Sequence, residues 1–106
     1  MEEKDTSDDI LELGGSIELS GFSDMDRGSM VIVKKIVGNY AKRYSEICSN
    51  FESLKVRLKR IDNNKQFELH ANVSDKGSPL AAEMTDRNLF FALDRVLKKV
   101  ENSISK

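Results

Sequence analysis

The chain has one cysteine, one histidine, one proline and no tryptophan in 106 residues. A single thiol excludes an internal disulfide, and one thiol with one imidazole falls short of the usual sulfur and nitrogen donors of a zinc site. Packing must supply the stability, and no metal or cofactor is expected. No apolar run approaches the roughly 18–20 residues that span a bilayer, and Met1-Glu2-Glu3-Lys4-Asp5 is acidic where a secretory signal is basic. These absences predict a soluble cytoplasmic protein with no membrane partner.

Catalytic constellations are missing too. A nucleophile needs a base and an orienting group, and those residue types are scarce here. There is no phosphate-cradling glycine motif, and Gly14-Gly15 lacks a following lysine and helix. His70 reads as a solvated residue on a strand face, and Cys48 as a small core hydrophobe bordering a helix stripe. Asp24 and Asp26 suit helix capping better than acid–base work. The chain reads as a binding protein and not as an enzyme.

What is present fits one domain: 39% hydrophobic and 33% charged residues give a modest core under a heavily solvated surface. The formal net charge of −1 is unevenly spread. Residues 1–13 hold Glu2, Glu3, Asp5, Asp8, Asp9 and Glu12 against Lys4, which leaves 16 of the 17 basic and 12 of the 18 acidic residues to positions 14–106. Residues 1–15 are read as an acidic flexible extension in which Ile10, Leu11 and Leu13 dock weakly at most, and residues 16–106 as a single domain.

Periodicity orders the elements. Ile17 and Leu19 alternate with Glu18 and Ser20 before Gly21, a short strand. Ser23 with Asp26, or Ser29, offers a helix cap. Val33, Ile36, Val37, Tyr40, Tyr44, Ile47 and Phe51 then recur at helical steps. Leu54, Val56 and Leu58 alternate with Lys55, Arg57 and Lys59, a strand with one apolar and one basic face. Asp62-Asn63-Asn64-Lys65 is turn chemistry leading into Phe67, Leu69, Ala71 and Val73, which makes a hairpin. After Ser74–Pro79 a shortened edge strand is expected over Leu80–Met84. Thr85 or Asp86 caps a last helix with Leu89, Leu93, Val96, Leu97, Val100 and Ile104 facing inward. The fold class is α+β, a β-α-β-β-β-α two-layer sandwich with both helices on one face of a three- or four-stranded sheet.

Two basic stripes stand out as candidate binding surfaces. Lys55, Arg57 and Lys59 project from one sheet face about 7 Å apart, near the spacing of successive phosphates; ordinary solvent-face charge is the alternative. Arg87, Phe91, Arg95 and Lys98 follow at helical spacing opposite the apolar stripe, placing an aromatic ring between cations. Such a ring stacks on an unpaired base or fills a protein pocket, unless it folds over the neighbouring surface as a satellite of the core. Lys34, Lys35, Lys42 and Arg43 add a basic helical face.

With the elements in this order, residues 16–104 resemble the ribosome hibernation-promoting factor and ribosome-associated inhibitor family in its short form. The resemblance is carried by Thr85-Asp86-Arg87-Asn88-Leu89-Phe90-Phe91-Ala92-Leu93-Asp94-Arg95-Val96-Leu97-Lys98-Lys99-Val100, similar to that family's final helix. Ile17-Glu18-Leu19-Ser20-Gly21 is similar to its opening strand. The resemblance implies binding to ribosomal RNA of the small subunit, in the channel used by messenger and transfer RNA, so that translation is held down under stress or starvation. Lys34, Lys35, Lys98 and Lys99 match the family's basic helical positions. The acidic extension and the shortened fourth strand depart from the family pattern. The expected partner is the small ribosomal subunit or another RNA, with a monomeric chain favoured; the alternative is a protein–protein interaction module of the same fold.

Overall fold

In the computed structural model, which describes residues 11–13, 16–63 and 65–104, the elements follow the expected α+β order. They are β1 (Leu11–Leu13), β2 (Ile17–Ser20), α1 (Arg27–Ile47), β3 (Phe51–Ile61), β4 (Gln66–Asp75), β5 (Ser78–Asp86) and α2 (Leu89–Ile104). The spatial order of the strands is their sequence order. β2 and β3 run parallel because α1 carries the chain back between them, and the other neighbours are antiparallel. The sheet has five strands where three or four were expected. The additional one is β1, whose backbone pairs Leu11 with Leu19 and Leu13 with Ile17, inside the stretch read as extension. The remainder of that extension, residues 1–10 and Gly14-Gly15, lies outside the described residues.

Local chemistry sets the boundaries. Asp26 caps α1, its carboxylate accepting the Ser29 N–H at 3.1 Å. This satisfies an amide that the helix start leaves free. Hydrogen bonding from Ser29 also holds the Asp26 carboxyl below its usual range. Ser23 and Ser29 are therefore not the cap. At the other end the Cys48 N–H closes on the Tyr44 carbonyl at 2.8 Å and the backbone turns extended. Phe51, counted with the helical stripe in the sequence, instead opens β3, and its ring approaches that of Tyr44 at 6.3 Å between centroids. It joins the core from the strand side, while Ile47 is 42% exposed.

β5 is longer than expected, spanning nine residues. Lys76 and Gly77 both take positive φ (58° and 82°), the two-residue hairpin geometry that matches strand twist, so pairing resumes at once with Asp75 opposite Ser78. It then runs without a break to Phe67 opposite Asp86. α2 begins after Asn88, whose Oδ1 accepts the Phe91 N–H at 3.0 Å, while Asp86 Oδ1 accepts the Asn88 N–H at 2.9 Å. Thr85 and Asp86 thus end β5, and Asn88 caps the helix.

One face of the sheet presents Leu19, Leu54, Val56, Leu58, Leu69, Ala71 and Val73, all buried. Over it lie Val33, Val37, Tyr40, Ala41 and Tyr44 of α1 and Leu89, Ala92, Leu93, Val96, Leu97 and Val100 of α2, in one cluster. Each fully buried Leu or Val contributes roughly 1.5–3 kcal/mol, against roughly 0–1 kcal/mol for an exposed ion pair, so apolar burial dominates. Tyr40 reaches Asp94 (3.0 Å), Tyr44 reaches the Leu97 carbonyl (2.6 Å) and Arg43 reaches Glu101 (3.1 Å), so the two helices run in the same direction, side by side. Gly21, at φ +83°, ends β2 against β3; a side chain there would land on the Leu58 carbonyl. The layer order is fixed: helices on one side, an open sheet face on the other.

Candidate nucleic-acid interface

That layering separates the basic residues into two groups. Lys55, Arg57 and Lys59 all point from β3 to the open sheet face and are exposed. Their neighbours there are acidic. Lys55 Nζ lies 3.8 Å from Glu18 of β2, and the register sets Lys59 opposite Glu68 and Arg57 opposite His70. Strands β2 to β5 together carry four basic and six acidic residues. The stripe that looked cleanest in the sequence is one row of a charge-balanced surface.

The helices differ. α1 and α2 together carry eight basic and three acidic residues. Lys34, Lys35 and Lys42 of α1 are exposed, as are Arg95, Lys98 and Lys99 of α2. Because the core-facing positions of both helices are turned to the sheet, Lys35, Lys42, Phe91, Arg95 and Lys98 face away from it, on the same side of the molecule. Phe91 is 47% exposed and stands apart from the core. The Arg95 guanidinium sits 5.1 Å from its ring centroid, a cation–π pair worth about 0.5–1 kcal/mol at an exposed site. Arg95, Lys98, Lys99, Asn102 and Met84 line a shallow pocket of about 310 Å³ between α2 and β5. Among the described residues no acidic side chain lines it.

Arg43 and Arg87 stand apart from this surface, and Lys99 is held at its edge. Arg43 bonds both carboxylate oxygens of Glu101 (3.1 and 3.2 Å) and lies 5.0 Å from the Tyr40 ring centroid, so it ties α1 to α2. Arg87 precedes α2 in the bend after β5, off the helical row in which the sequence placed it. Lys99 donates to the Glu83 carbonyl of β5 at 3.3 Å, which tethers it to the sheet.

The sequence reading missed two features. The Tyr40 and Tyr44 hydroxyls pin the helices together; burial pushes Tyr40 up to about 12 and raises Tyr44 further. His70 was read as solvated, yet its Nε2 is 3.0 Å from Glu68 and its Nδ1 3.3 Å from Glu83. The Glu-Leu-His spacing on β4 carries half of that signal. Glu83 comes from β5, and only the tight Lys76-Gly77 turn brings it opposite.

The molecule is thus an α+β sandwich with a cationic helix layer bearing an exposed aromatic ring, and a charge-balanced open sheet. No protein-family description and no curated protein matches the sequence. Solved structures do share the fold. A ribosomal subunit interface protein from Coxiella burnetii is similar at TM-score 0.62 and 16% identity, over 85% of this chain and 91% of that one. The N-terminal domain of Thermus thermophilus Protein Y is similar at TM-score 0.61 and 20% identity, over 90% of this chain and 97% of that one. At these identities the likeness establishes the fold, and it is the fold that the resemblance in the sequence implied.

Proposed function

We propose that this protein is a non-enzymatic ribosome-associated factor that binds small-subunit ribosomal RNA through its helix layer and modulates translation under stress. The observation that carries the reading is the cationic helix layer, eight basic against three acidic residues over α1 and α2, with the exposed Phe91 ring beside Arg95. It occurs on a fold shared with a ribosomal subunit interface protein. Lysines on neighbouring helices suit phosphates, and an exposed ring among them suits a splayed base. Fold alone does not fix function, so the charge distribution bears the weight.

The test is co-sedimentation of the full chain with ribosomes and isolated subunits at two salt concentrations, alongside Lys35→Glu/Lys42→Glu and Phe91→Ala variants. Saturable, salt-sensitive binding to the small subunit, weakened by both variants, is expected. An absence of binding at low salt overturns the reading. A second reading, a protein-interaction module, is favoured by the exposed pair Val31 (65%) and Ile32 (45%) at the start of α1. It predicts a salt-insensitive complex with a defined protein, abolished by Val31→Ser/Ile32→Ser and indifferent to the lysine changes.

A further inference from the structure

The open sheet face contains a cluster that the helix-layer reading leaves unused. Glu68 and His70 lie two apart on β4 and so point to the same side, and Glu83 sits directly opposite His70 on β5. One ligand atom from each of the three falls within 4.8 Å of the others. His70 Nε2 meets Glu68 at 3.0 Å, and Nδ1 meets Glu83 at 3.3 Å.

A neutral imidazole donates from one nitrogen only, so its other nitrogen turns a lone pair toward a carboxylate that can only accept. That unprotonated nitrogen is a metal ligand, and the carboxylate it faces stands beside it as a second one. The Nε2–Glu68 pair is a hydrogen-bond contact at 3.0 Å, and it opens by only about 0.4 Å to match two ligands of a tetrahedral ion held at about 2.1 Å each. Paired strands supply the scaffold. All three residues stand on an unbroken stretch of the β4–β5 ladder, so their backbones are fixed before any ion arrives. Glu83 faces Nδ1 and must swing round the ring edge to reach an ion held on the Nε2 side, a movement that its 68% exposed side chain permits.

There is also room for the rest of a coordination shell. A depression of about 240 Å³ opens beside the ring, lined by His70, Asn72, Ala81, Ala82 and Glu83. Ala81 stands opposite Asn72, so a small side chain leaves the site open toward solvent and the Asn72 amide borders the space. One imidazole and two carboxylates, with water positions to spare, suit a borderline first-row divalent ion such as Zn²⁺ better than Mg²⁺, which prefers oxygen alone.

We propose that Glu68, His70 and Glu83 form a binding site for one divalent transition-metal ion on the open sheet face. Binding converts a cluster carrying two negative charges into a neutral one. It leaves Lys55, Arg57 and Lys59 as the dominant charges of that face, so the ion tunes a surface that is otherwise balanced. Arg57, opposite His70 on β3, is the nearest opposing cation in the register and sets a limit on affinity. The inference stands apart from the ribosomal reading, and its test needs no RNA.

The experiment is calorimetric titration of Zn²⁺ into the chelator-treated, tag-free full chain, with ¹H–¹⁵N spectra of the His70 ring recorded in parallel. One ion per chain is expected, with the ring resonances shifting in step. His70→Gln removes the only imidazole in the sequence, and Glu83→Gln removes an exposed ligand without touching the core; each is expected to weaken binding by about tenfold or more. Cys48→Ala is expected to leave it unchanged, and Arg57→Gln to strengthen it. Absence of saturable binding in the parent chain overturns the proposal. Binding that survives both His70→Gln and Glu83→Gln undiminished overturns it equally.

Discussion

Neutralising Lys35 and Lys42 should flatten the salt dependence of RNA binding, whereas neutralising Lys55, Arg57 and Lys59 should not. Beyond Arg27 at the start of α1, five helix-layer cations, Lys34, Lys35, Lys42, Arg95 and Lys98, are exposed and outside the tethers that occupy Arg43 and Lys99. If each displaces one counterion from a phosphate, the logarithm of the binding constant falls with the logarithm of salt at a slope of about −3.5 on single strands and about −4.5 on duplex. Lys35→Gln/Lys42→Gln removes two of the five contacts and should reduce that slope by about 1.4–1.8. The strand stripe faces the other side of the molecule, where Glu18 already pairs with Lys55. Fluorescence anisotropy with a labelled small-subunit RNA fragment over a salt series measures both slopes. A strand triple variant that lowers the slope by about two while the helix double variant leaves it intact would refute the assignment of the interface to the helices.

The fold makes its own predictions. Tyr44 is fully buried with its hydroxyl on the Leu97 carbonyl, so Tyr44→Phe should cost about 1 kcal/mol in chemical denaturation, and a neutral result would deny that hydrogen bond a net role. Tyr40 and Tyr44 both ionise at higher pH folded than unfolded, so their contribution is complete below about pH 10 and is lost as pH rises beyond it. Denaturation midpoints should fall above that pH, and less steeply in Tyr40→Phe/Tyr44→Phe. Replacing glycine by alanine should have opposite signs at two positions. Gly21→Ala meets both a left-handed backbone and the Leu58 carbonyl and should cost about 2 kcal/mol or more. Gly38→Ala, mid-helix with open space, should gain about 0.4–1 kcal/mol. Thermal melts of the two variants check both signs.

Much of the architecture was readable because its signals are local. The alternation around Leu54, Val56 and Leu58 and the stripe from Leu89 to Val100 are periods of two and 3.6, and burial followed them closely. The misplaced boundaries each involve a residue whose neighbours in space are distant in sequence. Phe51 keeps helical step with Tyr44 yet packs on it from a strand. β5 extends past Met84 because the Lys76-Gly77 turn lets the whole of β4 template it. β1 exists by pairing with β2, and three residues alone carry no period.

The sequence by itself determined the element order, the two apolar stripes and the identity of every basic side chain now on the surface. Only the tertiary structure decided which of those side chains share a face. A charge's effect depends on the sign of what stands beside it within a few ångströms. Along β3 those neighbours are Glu18, Glu68 and His70, contributed by other strands through register. On α1 and α2 they are chiefly other lysines and arginines, because both helices turn their apolar sides to one sheet. Layer packing, which no single segment encodes, made one basic stripe part of a balanced surface and the other a cationic face.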